Sequence, residues 1–135
     1  MVYVTRVEHF NAAHKLYNPL WSKEKNEEAF GPCANENWHG HNYEMHVTVR
    51  GYPDVDTGFI IDVKKLSKII KEHVLDRVDH KNLNLDVDFM KNKLASTENF
   101  VIEIWNQLTP HINGGNLHQI RLYETPRIYV DYFGA

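Results

Sequence analysis

Residues 41–50 alternate between two classes of side chain, and this pattern restricts the fold more than any other feature of the chain. The odd-numbered set is His41, Tyr43, Met45, Val47 and Val49, and the even-numbered set is Asn42, Glu44, His46, Thr48 and Arg50. Successive side chains of a β-strand point to opposite faces of a sheet, so the pattern predicts a strand with one apolar and one polar face. Such strands are typical of antiparallel sheets that are covered on one face only.

Three more strands and two helices are predicted from the rest of the chain. The strands are residues 2–10, 117–124 and 127–133, the last two joined by a tight turn at Thr125-Pro126, with a short extended segment at residues 59–61. Asp62 is suited to cap the first helix, and Ser96 or Thr97 the second, because each precedes apolar residues at helical spacing. Residues 18–32 show no period and indicate a long loop. The prediction is one α+β domain over residues 1–135, with a four-stranded antiparallel sheet and two helices on one face.

Composition excludes several classes of protein. In 135 residues, 42% are hydrophobic and 24% charged, which indicates a globular chain rather than a disordered one. A net charge of −3 argues against a general nucleic-acid-binding surface. No apolar run is long enough for a membrane helix, and residues 1–6 lack the order of a secretory signal. The single cysteine excludes an internal disulfide and predicts a cytoplasmic protein.

The chain holds nine histidines, and their spacing sorts them. His39 and His41 are two residues apart at the head of a strand, so both leave the same face, with Cα atoms about 6–7 Å apart. His14 reaches the same place if its strand pairs antiparallel with theirs, whereas His46 has the opposite parity. Three histidines with an open fourth position describe a catalytic zinc site. Spacing alone also allows the alternative that a His-x-His arises by chance in a histidine-rich chain or caps a strand.

Cys33, the pair Asp79-His80 and Glu124 are further candidates, and Cys33 and Glu124 each have two interpretations. A cysteine is often an inert core residue, but the polar residues around Cys33 favour a reactive thiol, which near a metal and a histidine acts as a base. Asp79 is placed to orient the imidazole of His80. Glu124 shares strand parity with apolar residues, so its carboxylate is either paired structurally or holds a ligand.

The motifs around these residues resemble those of the 6-pyruvoyltetrahydropterin synthase family, which includes the 6-carboxytetrahydropterin synthases of queuosine biosynthesis. The resemblance spans nearly the whole chain in order: FNAAH at 10–14, CANENWHGHNY at 33–43, DTG at 56–58 with ID at 61–62, LDRVDHKNLNL at 75–85, STEN at 96–99 and YET at 123–125. It implies the tunnelling fold, in which sheets of three subunits join into a barrel and two trimers stack as a hexamer. Active sites are then expected between subunits.

Roles also follow from the resemblance. It implies that His14, His39 and His41 bind Zn2+, and that Cys33 accepts a proton while Asp79 and His80 relay charge. Glu124 is expected to anchor the pterin ring, in a pocket lined by Ser96, Thr97 and Glu98. The implied reaction converts 7,8-dihydroneopterin triphosphate to 6-pyruvoyltetrahydropterin with release of triphosphate. Lys15 and Arg127 are the basic residues suggested for the triphosphate.

Two departures and three alternatives accompany this prediction. Trp38 stands where relatives often have a small residue, and the five residues between Cys33 and His39 resemble the pyruvoyl-forming branch. The first alternative is a 6-carboxytetrahydropterin synthase, which releases acetaldehyde and triphosphate from the same substrate. The second is a non-enzymatic, zinc-stabilised binding module with Cys33 as fourth ligand. The third is a cupin-like oxygenase, which requires a jelly roll and is disfavoured by two helices between the strand pairs.

Overall fold

The computed structural model describes residues 1–135 and contains one sheet with its helices between the strands. In chain order the elements are β1 (Val2–His14), α1 (Lys23–Phe30), β2 (His39–Gly51), α2 (Val63–Ile70), α3 (Asp76–Val78), β3 (Lys81–Asn82), α4 (Thr97–Leu108), β4 (Asn116–Thr125) and β5 (Ile128–Tyr132). No helix is both long and apolar enough to span a membrane. The α+β class is therefore confirmed, and a jelly roll is excluded.

The sheet has five strands in the order β3-β1-β2-β4-β5. β1 and β2 pair antiparallel over their full length, from Val2 opposite Gly51 to His14 opposite His39. The predicted four-stranded, wholly antiparallel sheet was wrong in one respect, because β3 adds a fifth strand parallel to β1. This strand is only two residues long, and backbone bonds from His80 N–H to the Asn11 carbonyl and from Leu83 N–H to the Ala13 carbonyl hold it in place. A strand of two residues is too short to show an alternating pattern, and for that reason the sequence did not predict it.

Strand alternation buries one face of the sheet, as predicted. Tyr43, Met45, Val47 and Val49 of β2 are at most 1% exposed. α2 and α4 cover this face with fully buried side chains, among them Leu66, Ile70, Phe100, Ile104 and Leu108. Burying one such side chain stabilises the fold by about 1.5–3 kcal/mol. The two predicted helices therefore lie on one face of the sheet.

Side-chain caps fix where these two helices begin. Asp62 accepts a hydrogen bond from Lys64 N–H, and Ser96 accepts one from Asn99 N–H, so Ser96 rather than Thr97 is the cap of α4. A cap of this kind is worth about 1 kcal/mol. α2 does not stop at Ile70 but continues through a wider helical turn at Lys71–Leu75 into α3.

The predicted loop at residues 18–32 was wrong over its second half, because α1 occupies Lys23–Phe30. The only buried residue of α1 is Asn26, whose amide donates to the carbonyls of Asn18 and Ser22 and accepts from Asn18 N–H. Ser22 caps the helix by accepting from Lys25 N–H. A polar network rather than an apolar stripe therefore holds α1, and such a helix has no hydrophobic period to detect.

The short extended segment predicted at residues 59–61 forms no strand. Its side chains pack instead, with Ile61 buried in the core and Ile60 lying against two glycines. A Cβ at Gly51 or Gly115 would come within 2.9 and 2.6 Å of Ile60 Cγ2. Gly115 also has a φ of 67°, which suits glycine alone at so tight a contact. This segment is therefore held by side-chain packing and not by the backbone hydrogen bonds of a β-sheet.

Candidate metal centre and ligand pocket

The predicted histidine cluster forms at one end of the β1–β2 pair. The register places His14 directly opposite His39 and puts Ala12 opposite His41, so three imidazoles share the helix-covered face. Their ring centroids are 4.5, 4.9 and 5.1 Å apart, and one nitrogen from each ring lies within 4.8 Å of the other two. His46 points to the opposite face, where its Nε2 is 2.8 Å from a Glu44 carboxylate oxygen. The geometric prediction is confirmed for all four histidines.

The chemistry of the three imidazoles fits a metal ion. His14, only 2% exposed, donates its Nδ1–H to the Ala95 carbonyl at 2.6 Å, which leaves a lone pair on Nε2. That Nε2, His39 Nδ1 and His41 Nε2 are buried and have no hydrogen-bond partner. Burial lowers the pKa of all three imidazoles, so they are neutral donors near pH 7. A backbone carbonyl behind a histidine is a typical support for a metal ligand.

Glu124 lies beside this cluster on β4. One carboxylate oxygen is 3.4 Å from His41 Nε2, and the other accepts a hydrogen bond from the Thr97 hydroxyl. Thr97 is 4% exposed, so the carboxylate is held from the α4 side by a buried donor. The negative charge of Glu124 raises the pKa values of the histidines and so opposes the lowering that burial causes. The carboxylate oxygen that Thr97 does not bind faces the imidazoles.

The other two residues predicted to line the pocket are placed differently. Ser96 is occupied as the cap of α4. Glu98 is exposed on the first turn of α4 and makes no hydrogen bond or ion pair. Within a single chain, Thr97 is therefore the member of this trio that contacts Glu124.

Cys33 lies on a helical turn, Gly31–Ala34, next to the end of β1. Its carbonyl accepts a hydrogen bond from Leu16 N–H at 2.8 Å, which ties the turn to the residues that follow His14. The thiol is partly exposed and is not one of the clustered ligands. The arrangement therefore resembles an open three-histidine site rather than a closed site with Cys33 as its fourth ligand.

Asp79 and His80 form the predicted pair, with His80 Nδ1 3.0 Å from Asp79 Oδ1. Asp79 also accepts from Asn11 N–H at 2.9 Å, so the pair lies at the β1 edge of the sheet. The His80 side chain is 76% exposed, and no hydrogen bond or ion pair joins either residue to Cys33. One chain by itself brings the histidines and Glu124 together but does not bring Asp79-His80 to the thiol.

A cavity of about 760 Å³ opens between α1 and the residues that precede β2. It is lined by two lysines, Lys15 and Lys23, by two glutamates, Glu27 and Glu36, and by the residues on both sides of Cys33. The Lys15 ammonium lies 4.3 Å from the ring centroid of Trp38, which has a φ of 67°. That backbone conformation is rare for a bulky residue, so Trp38 is held in position by its surroundings. Arg127, by contrast, is exposed on the β4–β5 turn.

Sequence reasoning missed two parts of the site. The Ala95 carbonyl supports His14, but a carbonyl leaves no mark in a sequence. Tyr43 lies next to His14 and His41, with ring centroids 6.5 and 5.8 Å away, and its hydroxyl is buried without a partner. Burial and the Glu124 carboxylate raise the pKa of Tyr43 above its usual range, which keeps the hydroxyl protonated. The sequence held one signal for Tyr43, because its strand parity places it on the same face as His41.

Comparisons with known proteins agree with this geometry. The family model described as 6-pyruvoyl tetrahydropterin synthase matches residues 3–135. A 6-pyruvoyl tetrahydrobiopterin synthase of Pongo abelii is 40% identical over 131 residues, covering 97% of this chain and 90% of that protein. A 6-carboxy-5,6,7,8-tetrahydropterin synthase of Bacillus subtilis is 28% identical, over 92% of this chain and 80% of that protein.

A solved structure gives the same fold. The Caenorhabditis elegans 6-pyruvoyl tetrahydropterin synthase superposes with a TM-score of 0.94 at 39% identity. The match covers 99% of this chain and 96% of that one. The likeness therefore includes every element that positions the three histidines.

Proposed function

The chain belongs to the 6-pyruvoyl tetrahydropterin synthase family, and from that premise we propose that it converts 7,8-dihydroneopterin triphosphate to 6-pyruvoyltetrahydropterin with release of triphosphate. The members of this family are lyases that act on a small pterin substrate. One observation carries the proposal: three buried imidazole nitrogens without partners lie beside the Glu124 carboxylate. A metal site and a pterin anchor are thus adjacent.

We propose Zn2+ as the metal, because three neutral imidazoles with an open position are the donor set of catalytic zinc sites. His14, His39 and His41 would hold it. Bound there, zinc would polarise the oxygens of the substrate side chain and acidify the neighbouring C–H groups. The buried Nδ1–H bond of His14 to Ala95 keeps that ring oriented whether or not metal is present.

Glu124 is proposed to anchor the pterin ring. A carboxylate accepts two hydrogen bonds, and the ring presents N–H donors along one edge. Thr97 supports this role, because its buried hydroxyl occupies one oxygen of Glu124 and fixes the plane of the carboxylate. The other oxygen faces His41, so a ring held here would place its side chain near the histidines.

Cys33 is proposed as the base that takes a proton from the substrate side chain. Its turn is tied to the segment after His14, and the thiol is partly exposed rather than buried in the core. Loss of a general base typically slows a reaction by about 10²–10⁴-fold. Cys33→Ala should therefore turn over at least about a hundredfold more slowly, while its metal content and melting temperature stay at the wild-type level.

Lys15 is the better supported of the two basic residues proposed for the triphosphate. It follows His14 in the chain and lines the cavity that runs past Cys33, and it forms no ion pair there, whereas Lys23 is paired with Glu27 at 3.9 Å. Arg127 does not line this cavity. Lys15→Gln should raise the KM for the triphosphate substrate and leave the affinity for unphosphorylated pterins unchanged, as competition assays with both ligand types would measure.

The carboxy-forming reaction is the second candidate for the product. The 40% identity to a pyruvoyl-forming enzyme against 28% to a carboxy-forming one favours the first product. Incubating the zinc-loaded protein with 7,8-dihydroneopterin triphosphate and identifying the pterin by mass distinguishes them. 6-Pyruvoyltetrahydropterin supports the proposal, whereas 6-carboxytetrahydropterin with acetaldehyde contradicts it. Cys33→Ala is the matched control for product formed without the enzyme.

We also propose a hexamer of two trimers, in which sheet edges join to close a barrel. The outer edge of β5 and most of the outer edge of β1 have no strand partner within the chain, and such edges favour pairing. In such an assembly, the exposed His80 of one copy would lie beside the Cys33 of another copy. Light scattering tests the assembly, and a monomer at micromolar concentration would contradict it.

A mixing experiment tests whether sites form between copies. Cys33→Ala and His80→Ala are each expected to turn over far more slowly than the wild type. Unfolded and refolded together, they should recover partial activity if one copy supplies the thiol and another the imidazole. No recovery in a mixed hexamer would place both groups in the same chain.

The cytoplasmic location remains a prediction from the cysteine count.

A further inference from the structure

The Tyr43 hydroxyl belongs to none of the roles described above. Four buried side-chain polar atoms in the chain lack a hydrogen-bond partner, and three of them are the imidazole nitrogens suited to the metal. The fourth is the oxygen of Tyr43, which is 1% exposed. A buried hydroxyl without a partner destabilises a fold, so such an atom in a native structure needs a physical explanation.

Packing does not explain the hydroxyl. The ring of Tyr43 stacks on Phe10 at 4.9 Å with an angle of 10° between the planes, and it meets Phe100 edge-on at 5.8 Å. Phenylalanine would make both contacts equally well and would bury no polar atom. The packing fixes where the ring lies, and the oxygen must therefore be useful in some other way.

The position of Tyr43 indicates that use. Tyr43 follows His41 by two residues on the same face of β2, so it adjoins the metal cluster. On the other side, Tyr123 pairs with Glu44, which places Glu124 next to Tyr43 on the neighbouring strand. Tyr43 is thus flanked by the proposed metal site and by the proposed pterin anchor.

We propose that Tyr43 is a substrate-binding residue whose hydroxyl donates a hydrogen bond to an acceptor atom of the bound pterin. This inference rests on the proposed function, because it needs a ligand that spans Glu124 and the histidines. A neutral donor complements the anionic Glu124, which binds the N–H groups of the same ring system. The free protein carries an unpaired hydroxyl that pairs only when ligand arrives.

The test is Tyr43→Phe, which removes the oxygen and keeps the ring. Melting temperature, zinc content and the Kd for neopterin and for unsubstituted pterin are measured on zinc-loaded protein. We expect a melting temperature equal to or above that of the wild type, unchanged zinc, and pterin binding weaker by about tenfold. Equal weakening for both ligands places the acceptor on the ring, and weakening for neopterin alone places it on the side chain.

Tyr132→Phe is the matched control, because Tyr132 packs against the same core at the β5 edge of the sheet, where its ring meets Trp105. It should leave pterin binding unchanged. Lower zinc content in Tyr43→Phe would make Tyr43 a metal ligand and overturn the proposal. Unchanged pterin affinity would overturn it too, and with a lower melting temperature it would make the hydroxyl structural. A wild-type protein that binds no pterin would instead refute the proposed function, and this inference with it.

Discussion

The uncovered face of the sheet pairs its polar side chains with one another, whereas the histidine end of the helix-covered face leaves several polar atoms without a partner. On the uncovered face they pair with each other: Thr5 with Thr48 at 2.7 Å, Glu44 with His46 at 2.8 Å, and Arg121 with Asp131 through two bonds of 2.7 and 2.9 Å. At the histidine end of the helix-covered face, four buried polar atoms have no partner.

This difference distinguishes polar groups that are already paired within the fold from polar groups that are available to a ligand. A polar pair on a solvated face is satisfied by its neighbour or by water, and it contributes little to stability. A buried polar atom without a partner destabilises the fold until something binds it. Because all such atoms lie in one corner of the molecule, we expect that corner to be the functional site.

The largest expected effect concerns metal binding by histidines on opposite faces. His39→Ala and His41→Ala should each lose most of the bound metal, because three ligands become two on an open site. His46→Ala should retain it, because His46 points to the other face and pairs with Glu44. Elemental analysis of the purified variants measures this, and equal metal in all three would remove the distinction between the faces.

A smaller effect is expected from a matched pair of glutamates. Glu124→Gln replaces one oxygen acceptor by a donor that faces ring N–H groups, a mismatch that costs about 1–3 kcal/mol, so pterin affinity should fall at least about tenfold. Glu44→Gln makes the same chemical change on the uncovered face and should leave pterin affinity alone. Calorimetric titration of both variants at full metal loading gives the comparison. Equal affinity in the two variants would mean that Glu124 is structural.

The smallest effect is expected for the Arg121–Asp131 pair. The Arg121 guanidinium holds the pKa of Asp131 below its ordinary value of 3.8, so the ionised carboxylate stabilises the folded state above that value. That contribution is lost as pH falls through the lowered pKa. Asp131→Asn should therefore cost about 1 kcal/mol or less at pH 7, and the difference should vanish in strong acid. Urea unfolding at several pH values measures it, with pterin affinity unchanged throughout. A difference that does not shrink as pH falls below 3.8 would contradict the ionic cause.

Prediction from sequence succeeded where a period or a cap leaves a local pattern. The alternation of β2 fixed which histidines share a face, and Asp62 and Ser96 marked where two helices begin. Prediction failed at α1 and β3. The first is held by the amide of one asparagine, and the second is a two-residue pairing that depends on the neighbouring edge of β1. Neither leaves a repeating pattern.

The site divides along the same line. The sequence by itself determined that His39 and His41 share one face, because strand parity is read directly from their spacing, and the resemblance of its motifs predicted His14, Cys33 and Glu124 as the residues that act with them. Only the tertiary structure decided that Thr97 holds Glu124, that Ala95 orients His14, and that the Tyr43 hydroxyl is buried without a partner. Parity is a property of the chain itself. Pairing and burial depend on which distant segments meet, and the backbone groups that take part have no side chain by which a sequence could reveal them.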